Sequence, residues 1–320
     1  MLQTKALYNL IRLNAKEDPK FSAEKWVLED LRPLEMKTLF ERLKKNGIAV
    51  DKEAFFQFAE QCDTPEELAD LLLEDEADEK KWDLAYLLLF EVWRRLLPEK
   101  QSLSIFCDEL DQRISLYDQD LLENDEPVQD SLANLLEILE ENTDSGADPK
   151  EVFKAISNYC AHDVESFLYD YISEQLDNNN PYYASELTEG FAPFTQEPIW
   201  FDFLKARLVS HTDIGEANRL IHEILDLEPE FPLLMETLQF LAGSGEHDLF
   251  ITALKKILPQ LKAEEEFLEV METVADYYRR LDEDKLEQAI QKLLKGRKKS
   301  SGKLNPADPD LKKLQQLITK

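Results

Sequence analysis

The pattern in this 320-residue chain that comes closest to a metal site is His222-Glu223-Ile224-Leu225-Asp226. The zinc-protease helix motif places two histidines four residues apart, with a glutamate base after the first, so that both imidazoles share one helix face. Asp226 stands where the second histidine would be. Because Ile224 and Leu225 continue an apolar helical pattern, we interpret the run as the end of a packed helix whose charged residues face water. No metal is predicted.

Two loop patterns also fall short of known ligand sites. A phosphate-binding loop needs four residues between its glycines, a Ser or Thr after the lysine and a preceding strand. The run 296–304 has five residues there, Leu304 after the lysine, and a helix before it. The acidic run 118–129 lacks the ligands and the glycine of a calcium loop, since Leu122 and Glu123 occupy the fifth and sixth positions. No cofactor is predicted from either.

Nucleophilic catalysis needs a serine or cysteine next to a histidine. The chain has four histidines and no Gly-x-Ser-x-Gly turn, and Cys160-Ala161-His162-Asp163 offers the required types in one place. Residues two apart on a helix point away from each other. We interpret this run as a helix junction capped by Asp163, and we predict that the protein is not an enzyme.

The charge of the chain is unevenly distributed. Lys and Arg number 37 and Asp and Glu 67, a formal net charge of 37 − 67 = −30. Beyond Lys295 there are seven basic and two acidic residues, so the first 295 residues carry −30 − 5 = −35. Such a body repels phosphate backbones and anionic lipids and attracts basic partners. We interpret the charge in the first place as a solvated acidic surface, with attraction of a basic partner as the alternative.

Cysteine usage and hydropathy indicate a compartment. Cys62, Cys107 and Cys160 are odd in number and widely spaced within helical patterns, which is typical of free thiols in a reducing environment. No segment approaches the roughly 18 apolar residues that span a membrane. We expect a cytoplasmic protein, with export by a specialised machinery without a cleaved signal as the alternative.

The elements that would position any site are helices. The chain has only eight glycines, and apolar residues recur at helical spacing throughout the N-terminal half. The segment Trp82 to Leu97 is apolar on nearly every side, which predicts a helix enclosed by others. A run of turn formers from Asn142 to Pro149 is the predicted boundary. Residues 1–142 are therefore predicted to form an irregular all-helical region.

After this boundary, residues 150–295 contain predicted helical pairs. They are Val164 to Leu176 with Pro181 to Phe191, Ile199 to Val209 with Ile214 to Leu227, Leu233 to Leu241 with His247 to Leu258, and Glu264 to Leu281 with Lys285 to Leu294. The second helix of each pair carries an alanine: Ala184, Ala217, Ala253 and Ala289, spaced by 33, 36 and 36 residues. A period near 34 residues is typical of stacked two-helix repeats.

The best unit, Trp200 to Pro229, resembles a tetratricopeptide repeat. The matching positions are Leu204 and Leu208 on the first helix, Ala217 at the crossing, Ile221 and Ile224 on the second helix, and Pro229 at the closing turn. Lys205 and Thr212 depart from the small residue and the glycine usual in the family. The resemblance, over about residues 164–294, implies an all-α fold with a right-handed α-α superhelix, an α-solenoid, after the irregular N-terminal half. A less regular solenoid or bundle is the alternative.

The resemblance also implies a function. Stacked repeats form a concave surface that binds a partner, and in the best unit its lining positions are Ile199, Asp202, Ala206 and Val209. Asp202 and Ala206 replace the Lys and Asn pattern with which some of these domains bind a C-terminal carboxylate. We therefore predict a scaffold, adaptor or chaperone-like protein for a basic or amphipathic partner. The alternative is an acidic decoy that regulates a nucleic-acid-binding protein.

Residues 296–320 form the basic end of the chain. A basic run from Lys292 to Lys303 contains no acidic residue, and a break at Asn305 to Pro309 precedes a short amphipathic helix, Leu311 to Ile318. We predict a flexible tail with a short terminal helix. The alternatives are that it folds back on the acidic body or contacts nucleic acid.

Overall fold

Helices make up almost all the regular structure of the chain in a computed structural model, which describes residues 1–73, 78–297 and 302–318. This confirms the all-α fold class. Within these ranges there is no β-strand, only an isolated bridge between Ala263 and Lys303. None of the helices in the described parts of the chain combines the length and the apolar character that crossing a membrane requires.

The helices fall in two compact units, Met1–Leu168 and Tyr169–Lys320. The first contains α1 (Thr4–Glu17), α2 (Lys25–Leu28), α3 (Met36–Lys45), α4 (Lys52–Ala59), α5 (Pro65–Leu72), α6 (Glu79–Leu96), α7 (Leu103–Asp118), α8 (Glu126–Asp144) and α9 (Pro149–Ser157). The division falls within α10 (Val164–Asp177). Then follow α11 (Pro181–Phe191), α12 (Pro198–Ser210), α13 (Ile214–Asp226), α14 (Phe231–Ser244), α15 (His247–Ile257), α16 (Glu264–Arg280), α17 (Asp284–Arg297) and α18 (Pro309–Ile318).

The core of the first unit is built around α6, which packs against α3 and α5. Its residues from Ala85 to Trp93 are all buried, and Trp93 is the largest fully buried side chain. A helix in the middle of a core must be apolar on every side, so the prediction for Trp82 to Leu97 is confirmed. Glu91 is the exception in this run, since it is a buried carboxylate.

The predicted boundary at Asn142 to Pro149 lies inside the first unit. There the turn formers end α8, with Gly146 at φ +98°, and start α9, with Asp148 accepting from the amides of Lys150 and Glu151. Helix α9 stays with this unit because Ile156 is buried and its carbonyl lies 3.8 Å from the Cys107 Sγ of α7. The run marks a turn between packed helices, and the division comes after Leu168 instead.

In the second unit, consecutive helices pack as pairs. Helices α12 and α13, α14 and α15, and α16 and α17 pack together, while α12 also contacts α14, α14 contacts α16, and α13 contacts α15. The helices of all four predicted pairs are present. Ala184, Ala217 and Ala253 are fully buried, whereas Ala289 is half-buried. A small side chain at these positions allows two helix backbones to approach closely.

The C-terminal segment 302–318 is packed, which corrects the prediction of a flexible tail. Arg297 at the end of α17 is buried and pairs with Glu264 at 2.6 Å, Asp308 at 2.8 Å and Asp310 at 3.2 Å. Leu304, Leu311 and Leu314 are buried as well. The predicted short helix is α18. The segment packs against the preceding helices, as in the alternative in which the tail folds back on the body. Residues 298–301 of the basic run lie outside the described residues.

Candidate functional site

The predicted partner-binding positions lie on α12. Ala206 is fully buried, so its side chain faces the interior. Ile199, Asp202 and Val209 are partly exposed, and Asp202 pairs with Lys205 at 3.3 Å. Binding of a partner by these three residues stays a prediction.

A set of carboxylates in the second unit lies on the first helices of three of the four predicted pairs. This acidic row consists of Asp170 and Asp177 on α10, Glu236 on α14 and Glu269 on α16. Burial is the largest cause that raises the pKa of Glu236. The neighbouring Arg207 of α12 opposes the shift, but the other members of the row raise this pKa further. Arg207 is itself bound, with its Nη2 2.7 Å from Asp177 Oδ1.

The first unit contains a polar cavity of about 350 Å³. Its lining comes from segments far apart in the sequence: α1, the chain after α2, α6, α7 and the loop before α10. The charged and polar residues that line it include Lys5, Asn9, Arg12, Asp30, Arg32, Glu91, Asp108, Asp111, Gln112, Ser115 and His162. This is within the size range of small-molecule sites in proteins.

Asp108 holds one side of the polar cavity together. Its carboxylate is buried and accepts from Lys5 Nζ at 3.2 Å, Arg32 Nη2 at 2.6 Å and Asn9 Nδ2 at 2.8 Å. Burial alone would raise the pKa of Asp108, but Lys5 and Arg32 outweigh it and hold the pKa below its ordinary value. Burial also lowers the pKa of Lys5. A buried charge is tolerated only with such partners.

Asp111, one turn along α7, binds the loop that carries His162. Its carboxylate accepts from the backbone amides of Ala161, at 2.8 and 2.9 Å, and His162, at 3.0 Å. The Nδ1 of the His162 ring lies 3.0 Å from Asp111 Oδ1. The same carboxylate therefore orients both the ring and the backbone on which the ring is mounted.

The other nitrogen of the ring meets a serine. His162 Nε2 lies 3.2 Å from Ser115 Oγ, and Ser115 is four residues after Asp111, on the same face of α7. The hydrogen-bond network assigns the proton of a neutral ring to Nδ1, facing the carboxylate, which leaves Nε2 to accept from the hydroxyl. The arrangement is carboxylate, imidazole, hydroxyl, in that order, at the wall of a cavity.

Arg12 presents an unused donor beside these residues. Its Nε donates to the carbonyl of Val27 at 2.8 Å, and its Nη1 donates to Asn9 Oδ1 at 3.4 Å. Its Nη2 is buried and has no hydrogen-bond partner among the residues that the structure describes. An unpaired buried donor costs free energy.

The chemical candidates noted in the sequence have different surroundings. Cys160 is buried, and the neighbouring Cys107 thiol, followed by burial, raises the pKa of Cys160, so its thiol is a poor nucleophile. His222 and Asp226 form an exposed pair on α13, with Nδ1 and Oδ2 3.2 Å apart. In residues 1–73, 78–297 and 302–318, no three His, Cys, Asp or Glu side chains converge as metal ligands.

Sequence reasoning considered His162 but paired it with Cys160 and missed Asp111 and Ser115, which are 51 and 47 residues away. Asp111 and Ser115 share one helix face, which is visible in the sequence, but no signal indicates that His162 meets that face. No protein-family model, curated protein or solved structure matches the chain.

Proposed function

We propose that the chain is a protein–protein interaction protein, a scaffold, adaptor or chaperone-like protein of the cytoplasm, whose second unit binds a basic or amphipathic segment of a partner. In this proposal the pairs α10–α11 to α16–α17 stack as a tetratricopeptide-like, right-handed α-solenoid. The packing of each first helix against the next, from α12 to α14 and from α14 to α16, supports this arrangement. So do the buried alanines at the period of the repeat.

The acidic row is the observation that carries the proposal. First helices line the concave surface of stacked repeats. Burial raises the pKa of Glu236 on one of them, and repulsion from the other carboxylates of the row raises it further. The cation next to Glu236, Arg207, is bound to Asp177. A lysine or arginine of a partner would relieve this repulsion, whereas an acidic partner would increase it.

Isothermal titration calorimetry against a basic amphipathic helical peptide and an acidic one tests the proposal. We expect the basic peptide to bind and Glu236→Gln with Glu269→Gln to weaken it about tenfold, because each removes a charge from the row. The control is Glu223→Gln, an exposed carboxylate on the second helix α13, which should leave the affinity unchanged. Tighter binding of the acidic peptide, or equal loss in the control, would contradict the proposal.

The net charge of −30 favours a second candidate, an acidic decoy that occupies the nucleic-acid site of a basic protein. A decoy acts through many long-range charge contacts, so its affinity falls steeply with salt. The affinity of a groove that buries apolar side chains of a peptide falls much less when the salt concentration is raised. Titrations at about 50 and 200 mM salt therefore distinguish the two candidates.

A further inference from the structure

We propose that the polar cavity of the first unit is a serine acyl-transfer site that hydrolyses small carboxylic esters. Ser115 is the nucleophile, His162 the general base and Asp111 the residue that positions the imidazole. This activity lies outside the partner binding proposed for the second unit and departs from the prediction that the protein is not an enzyme. It rests on different residues, so either proposal can fail without the other.

The geometry is that of an activated serine. A serine hydroxyl is a weak nucleophile unless an adjacent base accepts its proton, and the base must be held by a third group. The 3.2 Å separation of Ser115 Oγ and His162 Nε2 and the 3.0 Å separation of His162 Nδ1 and Asp111 Oδ1 are within hydrogen-bond reach. Serine, histidine and aspartate all line the same cavity.

Rigidity separates this arrangement from a chance contact. The Asp111 side chain is 4% exposed and that of His162 is 12% exposed. Bonds from Asp111 to two successive backbone amides prevent the loop from moving the ring away from α7. Catalytic groups must be held within about 0.5 Å of their working positions, and buried, hydrogen-bonded supports of this kind provide that.

The steps balance as in other acyl transfers. Ser115 Oγ attacks the carbonyl carbon of the ester while its proton passes to His162 Nε2. The tetrahedral intermediate then breaks its bond to the alcohol oxygen. The alcohol departs with the proton from His162, and the acyl group remains as an ester on Ser115. Water, deprotonated by His162, attacks the acyl carbon, and release of the carboxylic acid returns the proton to Ser115. The net reaction is ester plus water to acid plus alcohol.

Arg12, a cation that lines the cavity, is the group we assign to stabilise the charge that the reaction develops. Negative charge develops on the carbonyl oxygen in the transition state, and fixed donors that face it lower the barrier. Arg12 lines the same cavity and has an unused buried donor. If His162 served only to stabilise the fold, the unpaired Nη2 of Arg12 and the cavity would have no explanation. A volume of about 350 Å³ and a polar wall favour short acyl esters over long lipids.

Two measurements on the full-length protein test the proposal. The first is covalent labelling by a fluorophosphonate probe, located by mass spectrometry of the peptide that contains Ser115. The second is hydrolysis of 4-nitrophenyl acetate. We expect labelling at Ser115, a loss of both signals in Ser115→Ala, and a fall in kcat of about 10²–10⁴-fold in His162→Gln. Arg12→Met should lower kcat/KM by about 10²-fold or more.

Asp111→Asn tests the positioning role, because it should lower kcat while leaving KM unchanged. Circular dichroism of each variant shows whether it is folded. The matched control is Ser157→Ala, a half-buried helical serine in the same unit whose Oγ donates to the Phe153 carbonyl. It should keep full labelling and activity. Absence of Ser115 labelling in the folded wild-type protein, or equal hydrolysis by Ser115→Ala, overturns the proposal.

Discussion

The first unit buries three carboxylates, Glu91, Asp108 and Asp111, whereas helices α10 to α15 of the second unit bury no charged side chain. In those paired helices the buried polar groups include threonines that use their own helix. Thr188 donates to the Ala184 carbonyl at 2.6 Å, and Thr237 to the Leu233 carbonyl at 2.7 Å. The acidic side chains there lie in rows at the surface instead.

This difference separates two ways of specifying a fold. Buried carboxylates demand partners from other helices, which places particular atoms at particular distances and creates a polar cavity. Paired helices with buried alanines demand only shape, so they repeat along the chain and leave their surfaces available for binding. Substitutions at the buried charged groups and at the buried alanines test how much each contributes to the stability of its unit.

The largest effect is expected for Asp108→Ala in the first unit. The change removes the buried carboxylate between Lys5 and Arg32, while Arg32 keeps its pair with Glu109, and we expect it to cost about 3 kcal/mol of unfolding free energy. Urea denaturation measures the loss, and hydrogen exchange at the amides of α1 and α7 locates it. Asp202→Ala, at a partly exposed position, should cost less than about 0.5 kcal/mol. Similar costs for both would remove the contrast between the units.

The second unit has a buried arginine, Arg297, that pairs with three carboxylates near its C-terminal end, and Arg297→Ala breaks this cluster. Glu264, Asp308 and Asp310 then lose their shared cation, at an expected cost of about 2–3 kcal/mol. Segment 302–318 should detach, and trypsin should cut faster at Lys312 and Lys313. The control Arg279→Ala removes an exposed arginine. If cleavage rates do not differ between the two variants, the segment is held by its leucines alone.

Overpacking tests whether shape governs the repeat helices. Ala217→Leu forces a larger side chain into the fully buried crossing of α12 and α13, at a cost of about 1–3 kcal/mol. Ala289→Leu, at the half-buried equivalent on α17, should cost clearly less. Thermal unfolding of the two variants measures the difference, and an equal effect would argue against a crossing at Ala217 that needs a small residue.

The smallest effect is a gain in stability from Glu236→Gln. A raised folded-state pKa means that Glu236 favours the fold while protonated and loses that contribution as pH rises through this pKa. Glutamine mimics the protonated form, so the variant should be more stable at pH 7, by under about 1 kcal/mol after screening. The gain should vanish below about pH 4. Denaturation at both pH values checks this, and destabilisation at pH 7 would refute the sign.

Local patterns predicted the helices well. Apolar residues at helical spacing, capping residues and prolines act within a few residues of sequence, which is why α6 and the helices of all four predicted pairs appear where predicted. The turn formers at Asn142 to Pro149 were predicted to be the boundary between two halves, but the run lies within the first compact unit, between α8 and α9. Their local chemistry does not distinguish a turn between packed helices from a boundary between units.

Long-range contacts decided the rest. The fate of the C-terminal segment depends on Arg297 meeting Glu264, 33 residues away. Likewise, Ala206 was predicted on the binding face, but the packing around α12 buries it.

The helices and the charge of this protein were determined by the sequence itself. Helix formation depends on residues that are close together in the sequence, and net charge depends only on the number of charged residues. The candidate catalytic group was decided only by tertiary structure. Asp111 and Ser115 share a helix face in any α7, but His162 reaches them because the loop after α9 is hydrogen-bonded to that helix. Composition does not predict the contact of His162 with Asp111 and Ser115, because this contact results from the burial of apolar surface by the whole unit.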